Sequence, residues 1–199
     1  ARVALARPGY VAYRNVLRAL HMEPIELACG EAERFQLTAE AIAALDPALQ
    51  GLILASPANP TGTILSAAEM QAIVRVCQDR KICIISDEIY HGLSYGEPAH
   101  SVLEYDATAL VVNSFSKYFS MAPWRLGWLV VPPEKVDAAR ARMGNLFLTP
   151  SSLSQHAGLA AFECQDELEG HVQTYRRNRD LLLKALPQLG LNHIAPPDG

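Results

Sequence analysis

Short runs of apolar residues alternate with segments of helical spacing along the first two thirds of the chain. The runs are about four or five residues long and end at Pro, Gly or polar turns, which is typical of strands covered on both faces. Between them, Ser66-Ala-Ala-Glu69 has the capping-box pattern that predicts the start of a helix. Strands are predicted at residues 2–6, 25–29, 51–55, 82–86, 109–112 and 128–131, and helices at 10–20, from 38 to before 47, and from 66 through 77.

This alternation predicts an α/β fold with a mostly parallel central sheet and helices on both faces. The last third differs, because helices predicted at 133–148, 151–163 and 165–186 lead away from the sheet. We therefore expect a large domain at residues 1–148, incomplete at its N-terminus, followed at 149–199 by connecting helices and the start of a truncated small domain. Ligands of such sheets bind beyond the carboxyl ends of the strands.

Composition and charge favour a small-molecule partner. The 199 residues contain 17 Lys and Arg against 21 Asp and Glu, without the long like-charge run typical of nucleic-acid or membrane binding. No apolar stretch is long enough for a membrane span, and the first residues do not form a leader pattern. The four cysteines form no C-x-x-C pair, so we expect buried structural thiols, no metal site and a cytoplasmic protein.

The loop after the third predicted strand, Ser56-Pro-Ala-Asn59-Pro-Thr-Gly-Thr63, places an amide between two prolines. Because proline restricts the backbone, Asn59 could be aimed at a ligand oxygen with little ordering cost. The same pattern also suits a rigid turn in which Asn59 bonds its own backbone.

The next loop, Ser86-Asp87-Glu88-Ile89-Tyr90-His91, places carboxylates where an apolar strand ends. The strand pattern predicts that Asp87 lies nearer the interior than Glu88, where it could stabilise a buried cationic nitrogen. Tyr90 would offer a hydroxyl from the same loop, whereas His91 is expected to be a loop residue. The alternative is that both acids simply solvate the end of the strand.

A third loop, Asn113-Ser-Phe-Ser-Lys117-Tyr-Phe-Ser120, is followed by Trp124-Arg125-Leu-Gly-Trp128. A lysine in apolar and aromatic surroundings becomes a nucleophilic amine that can form a Schiff base, although Lys117 alone also suits a solvated surface lysine. Arg125 offers a planar fork for a phosphate, and Ser114 and Ser116 could add neutral donors. Pro123 is expected to push Ala122 into an extended conformation.

The segments PGY, SPANPTGT, SDEIYHGLSY and NSFSKYF followed by WRLGW, in this order, resemble the aminotransferase class I/II family of fold type I enzymes that use pyridoxal 5′-phosphate (PLP). The likeness extends from about Pro8 to Trp128, and Pro196-Pro-Asp-Gly199 is similar to the family's passage into its small domain. The family's upstream phosphate loop and its downstream arginine for the substrate carboxylate have no counterpart in this sequence.

The resemblance implies a role for each candidate residue in a PLP-dependent transfer of an amino group from an amino acid to a 2-oxo acid. Lys117 would hold PLP as a Schiff base, and Asp87 would pair with the protonated pyridine nitrogen. Asn59 and Tyr90 would bind the phenolic oxygen, and Tyr10 would stack on the ring face. Ser114 and Arg125 would bind the phosphate, and Ser116 is a weaker candidate for the same group. The resemblance also implies a homodimer in which residues 149–155 approach the partner's cofactor.

Two other functions suit the same residues. A PLP-dependent β-lyase uses a similar set, because the outcome depends on how the substrate is oriented. A PLP-binding domain of a transcriptional regulator would instead use the cofactor as an effector.

Overall fold

The computed structural model describes residues 1–192 and 195–199, and its strands and helices alternate up to the end of the sheet. The strands are β1 (Arg2–Arg7), β2 (Glu23–Ala28), β3 (Gly51–Ala55), β4 (Cys83–Asp87), β5 (Leu110–Ser114) and β6 (Gly127–Val130). The helices are α1 (Val11–Ala19), α2 (Ala39–Ala43), α3 (Ala67–Asp79), α4 (Val136–Phe147), α5 (Ser152–Ala161) and α6 (Gln165–Ala185), with short 3-10 turns at Val102–Glu104, Ala122–Trp124, Pro133–Lys135 and Leu186–Leu189.

The six strands form one sheet in the order β2-β1-β3-β4-β5-β6. Neighbouring strands are parallel from β2 through β5, and β6 runs antiparallel to β5. The predicted mostly parallel sheet is therefore confirmed. Pro24 is accommodated because β2 lies at an edge, where a strand can lack one backbone donor.

Apolar side chains cover both faces of this sheet. On one face Leu52, Ile84 and Val111 pack with side chains of α2 and α3 in the larger core cluster. On the other face Val3 and Leu5 pack with Leu17 of α1. Since adjacent residues of a strand point to opposite faces, the continuous apolar runs in the sequence result from this two-sided cover.

The predicted starts of two helices are confirmed in atomic detail. The Ser66 hydroxyl accepts from the Glu69 amide while the Glu69 carboxylate accepts from the Ser66 amide, which satisfies free donors at the start of α3. The Thr38 hydroxyl accepts from the Ala41 amide at the start of α2 in the same manner.

Several predicted boundaries were wrong by one to three residues. β2 begins at Glu23 instead of residue 25 because it pairs with all of β1, and β4 and β5 extend to Asp87 and Ser114. The helix predicted from Pro133 begins as a 3-10 turn before α4, and α5 ends at Ala161. These ends depend on pairing with other segments, which the local pattern does not contain.

The expectation of four buried thiols was wrong. Cys77 is buried in the core, Cys29 and Cys83 are partly buried, and Cys164 is exposed at the start of α6. Cys164 is exposed because it lies in the turn between α5 and α6. Within residues 1–192 and 195–199, no helix is long and apolar enough to cross a membrane.

Candidate active site

The three loops selected from the sequence lie at the same edge of the sheet. The register pairs Ala55 with Asp87 and Asp87 with Val112, so the loops after β3, β4 and β5 leave from neighbouring positions. At the same edge Ser114 pairs with Gly127, the first residue of β6. A β-carbon at Gly127 would lie 2.7 Å from the Asn113 carbonyl oxygen, so this close approach requires glycine.

Asp87 is bound by a tyrosine that the sequence analysis did not select. The Tyr13 hydroxyl of α1 donates a short hydrogen bond to Asp87 Oδ2, and the Ile89 amide donates to Oδ1 at 3.3 Å. Burial and the neighbouring Asp87 carboxylate raise the pKa of Tyr13, so its phenol remains a proton donor. Tyr10 meets Tyr13 edge to face with ring centroids 5.5 Å apart and remains 46% exposed.

Asn59, Tyr90 and Lys117 are brought together although they come from three loops. Asn59 Nδ2 lies 3.2 Å from the Tyr90 hydroxyl, and Lys117 Nζ lies 5.4 Å from the centroid of the Tyr90 ring. An amide, a phenol and a primary amine therefore face one region at the sheet edge. None of the three is fully buried, so they are accessible to a ligand.

Ser114 and Ser116 form a compact pair of hydroxyl groups. Ser114 Oγ donates to Ser116 Oγ at 2.9 Å and accepts from the Ser116 amide at 3.0 Å. Arg125 is exposed, lies in the left-handed region with φ 51°, and donates to the Ala122 carbonyl at 3.1 Å. The expectation of an extended Ala122 was wrong, because Ala122 begins a 3-10 turn with Pro123 in its first turn.

The predicted order of burial for the two acids at the end of β4, Asp87 and Glu88, was also wrong. Glu88 is 3% exposed, whereas Asp87 is only partly buried at the site. Glu88 Oε1 accepts from Ser86 Oγ at 3.0 Å, from Ser101 Oγ at 3.1 Å and from the Val102 amide at 2.9 Å. Burial alternates along β4, with Ile84 and Ser86 buried, and Glu88 continues that alternation, so the prediction assigned the buried side of the strand end to the wrong acid.

His91 lies in the loop, as expected, but it also bridges two loops. Its Nδ1 is 3.5 Å from Glu88 Oε2, and its Nε2 is 3.0 Å from the Ser56 carbonyl oxygen. The buried carboxylate and the imidazole thus connect the start of the Asn59 loop to the Tyr90 loop.

The family model described as "Aminotransferase class I and II" matches residues 1–199. The chain belongs to this aminotransferase family. It is 47% identical over 202 residues to the valine--pyruvate aminotransferase of Mycobacterium tuberculosis, covering 100% of this chain and 52% of that protein. The chain therefore spans about half the length of this relative.

Solved aminotransferase structures have the same fold. A crystal structure of an aminotransferase from Mycobacterium tuberculosis has a TM-score of 0.95 at 46% identity, with 100% of this chain and 52% of that chain covered. Aspartate aminotransferase from Thermus thermophilus with maleate has a TM-score of 0.91 at 29% identity, with 98% and 53% covered. The predicted fold and family are confirmed.

Aminotransferases of this family use PLP, and the donor set at the sheet edge fits that cofactor. A carboxylate with a phenol donor suits a cationic ring nitrogen, and an amide and a phenol suit an anionic oxygen. The paired hydroxyls of Ser114 and Ser116 and the exposed guanidinium of Arg125 are donor types that suit a phosphate. Within the described residues, no group of three or more His, Cys, Asp or Glu side chains is arranged to hold a metal ion.

Sequence reasoning missed Tyr13 and the role of Glu88. Tyr13 follows Tyr10 by three positions at the start of a helix, which places both rings on one side of α1 and was a usable signal. Glu88 gave no comparable signal, since Ser101 and Val102 are 13 and 14 residues away in the chain.

Proposed function

We propose that this chain forms the PLP-binding part of an aminotransferase that moves an amino group from an amino acid to a 2-oxo acid. The convergence of Asn59, Tyr90 and Lys117, beside a carboxylate held by Tyr13, is the observation that carries this proposal. These groups match in type and number what the cofactor's ring requires.

Lys117 would hold PLP covalently through its amine. Its Nζ would also serve as the base that moves the proton at the substrate Cα. Bound PLP supplies the electron sink that stabilises the resulting negative charge. Asp87 would keep the ring nitrogen protonated, because an ionised carboxylate favours a neighbouring cation.

The other residues would orient the cofactor. Asn59 and Tyr90 would donate to its phenolic oxygen, and Tyr10 would pack against its ring. A planar guanidinium and hydroxyl donors suit a phosphate dianion, so we assign this group to Arg125, Ser114 and Ser116.

We further propose an aliphatic amino acid with pyruvate as the substrate pair. The 47% identity to a protein named valine--pyruvate aminotransferase supports this choice over the proteins named aspartate aminotransferase, which are 27% to 29% identical. The pair is tested by comparing valine and pyruvate with aspartate and 2-oxoglutarate. Faster turnover of aspartate would contradict the aliphatic assignment.

The decisive experiment is borohydride reduction of the protein with PLP, followed by peptide mapping. We expect a visible absorption band and one reduced adduct at Lys117, both lost in Lys117→Ala. Lys184→Ala is the matched control, because Lys184 is an exposed lysine of α6. Adducts spread over many lysines in every variant would contradict the proposal.

Product analysis separates the proposed transfer from its alternatives. An aminotransferase yields a new amino acid and a 2-oxo acid in equal amounts. A β-lyase would release ammonia, and a regulator domain would bind PLP at Lys117 without turnover.

We also propose a homodimer. Large apolar side chains are exposed from the end of α4 to the last turn of α5, namely Leu146, Phe147, Leu148, Leu153 and Leu159. An exposed apolar area of this kind is typical of a surface that binds a second protein. Sedimentation should give twice the monomer mass, and Phe147→Glu should lower it, whereas a wild-type monomer would contradict the proposal.

The division into a large domain at 1–148 and a second unit at 149–199 remains a prediction, as does the cytoplasmic location. All four cysteines are free, which supports a reducing compartment. Limited proteolysis would test the boundary, since a domain junction near residue 149 should be cleaved first.

A further inference from the structure

The loops that carry Asn59 and Tyr90 extend beyond the ladder that joins their strands. The pairing of β3 with β4 ends at Ala55 and Asp87. Nevertheless Asn59 Nδ2 and the Tyr90 hydroxyl lie 3.2 Å apart. Contacts outside the sheet must therefore fix the loops, and His91 with the Ser56 carbonyl supplies only one of them.

The segment at residues 195–199 binds the Asn59 loop through several backbone groups. The amides of Asp198 and Gly199 both donate to the Gly62 carbonyl, at 2.7 and 2.9 Å. The Asp198 carboxylate accepts from the Ile64 amide at 3.0 Å and from the Arg34 guanidinium. Asp198 thus holds this loop with both its backbone and its side chain.

The same residue also binds the loop that follows Tyr90. The Tyr95 amide donates to the Asp198 carbonyl at 2.7 Å. On the other side of Tyr95, the Arg176 guanidinium donates to its carbonyl at 2.5 Å, and Arg179 lies 5.5 Å from its ring centroid. Asp198 therefore connects the two loops, and α6 supports the connection.

Two glycines make this close contact possible. Gly62 has φ 66°, and a β-carbon there would lie 2.6 Å from both the Gly199 carbonyl oxygen and Pro197 Cβ. A β-carbon at Gly199 would lie 2.4 Å from the Leu93 carbonyl oxygen and 2.8 Å from Pro57 Cγ. The 195–199 segment therefore fills the space between both loops without room for a side chain at either position.

We propose that Asp198 is a positioning residue that sets the separation of Asn59 and Tyr90, and thereby their joint donation to the cofactor's phenolic oxygen. The second half of this proposal rests on the proposed function. The first half concerns only the geometry of the two loops and can be tested without cofactor.

Hydrogen exchange of the cofactor-free protein, expressed from its complete reading frame, tests the loop geometry. In Asp198→Ala we expect the amides of residues 58–64 and 91–95 to exchange at least about tenfold faster, because the segment loses the carboxylate bonds to the Ile64 amide and to Arg34, and its backbone then holds both loops less firmly. Glu97→Ala is the control, since Glu97 is an exposed acid two residues beyond Tyr95. Unchanged exchange in both loops would overturn the proposal.

Asp198→Asn and Arg34→Gln provide the test should Asp198→Ala fold poorly. Asp198→Asn removes the ionic contact with little change in side-chain volume, and Arg34→Gln removes it from the exposed partner. Both variants leave the backbone of residue 198 unaltered. We expect faster exchange in the 58–64 loop and a smaller effect in the 91–95 loop. Equal effects throughout the protein, as in a general loss of stability, would overturn the positioning role.

The pH dependence of the absorption of bound PLP tests the effect on the cofactor. Loss of donors to the phenolic oxygen changes the pH midpoint of the cofactor's spectral transition. Asp198→Ala should shift the midpoint in the same direction as Tyr90→Phe and by a smaller amount, while Glu97→Ala leaves it unchanged. An unshifted midpoint in Asp198→Ala would overturn the part of the proposal that concerns the cofactor. Failure of the wild-type protein to bind PLP would count against the proposed function, and hydrogen exchange would then decide the loop geometry.

Discussion

Residues 1–131 and residues 132–192 differ in how they bury apolar surface. The first region contains the sheet, both core clusters and every proposed cofactor residue. In the second region, as far as it is described, the buried apolar side chains are Pro132, Leu168 and Val172, and α4 buries none of its residues. The first region therefore carries its own core, whereas the second presents apolar surface suited to association with further protein.

Thiol labelling should show this contrast with the largest effect. Cys77 lies in the core of the first region, where burial raises its pKa from 9.0 to about 12, while Cys164 is exposed in the second region. At neutral pH, labelling of Cys77 by iodoacetamide should be slower by at least about a thousandfold, because it requires both opening and ionisation. Mass spectrometry of timed samples measures both rates, and comparable rates would contradict the contrast.

The same shift has a consequence at alkaline pH. The unfolded thiol ionises near its ordinary pKa of 9.0, whereas the folded thiol stays protonated up to about 12. This contribution to stability is therefore present below pH 9 and is lost as the pH rises from 9 towards 12. Cys77→Ala should reduce the alkaline loss of stability in denaturant unfolding.

Matched leucine truncations should differ by about 3 kcal/mol. Leu52 is 0% exposed in the centre of the sheet, and Leu146 is 73% exposed on α4. Leu52→Ala leaves a cavity in a packed core and should lower the free energy of unfolding by about 2 to 5 kcal/mol, while Leu146→Ala stays within about 0.5 kcal/mol. Urea unfolding measures both, and a large loss in Leu146→Ala would indicate that α4 is covered in solution.

Neutralising Glu88, a buried acid of the first region, should lower the free energy of unfolding by about 2 kcal/mol. Glu88→Gln retains the shape of the side chain but removes the charge of a carboxylate that accepts from Ser86, Ser101 and the Val102 amide. The new amide group must also fit beside His91. Glu163→Gln is the control, because Glu163 is exposed in the second region. Equal stability of the two variants would mean that the Glu88 network contributes nothing net.

The sequence predicts those features that depend on local contacts, and it does not predict features that depend on contacts between residues far apart in the chain. The strands of the first region were predicted because their apolar runs record cover on both faces, as at Gly51–Ala55, where prediction and structure coincide. The capping box at Ser66 and Glu69 is likewise a local feature. Loop contacts are different, since the Tyr13 and Asp87 partners are 74 residues apart and no periodicity connects them.

The error at Glu88 has the same cause. Burial alternates along β4 and continues through Glu88, since Ile84, Ser86 and Glu88 are buried. The apolar run at residues 82–86 does not reveal which alternate set is buried, and the partners of Glu88 at Ser101 and Val102 are visible only in the folded chain. The candidate site was recognisable from residue types and order, whereas the groups that fix its geometry became visible only in the folded chain.

The smallest effect is expected for the hydroxyl that holds Asp87. Tyr13→Phe removes one donor from the carboxylate while retaining the ring contact with Tyr10, so PLP affinity should fall by about fivefold, or about 1 kcal/mol. Tyr175→Phe, an exposed tyrosine of α6, is the control in the second region. Absorption titration with PLP measures both constants. Equal PLP affinity of Tyr13→Phe and wild type would mean that the Ile89 amide and the backbone orient Asp87 without the Tyr13 hydroxyl. In that case α1 supports the site only through packing, as in the contact between the Tyr10 and Tyr13 rings.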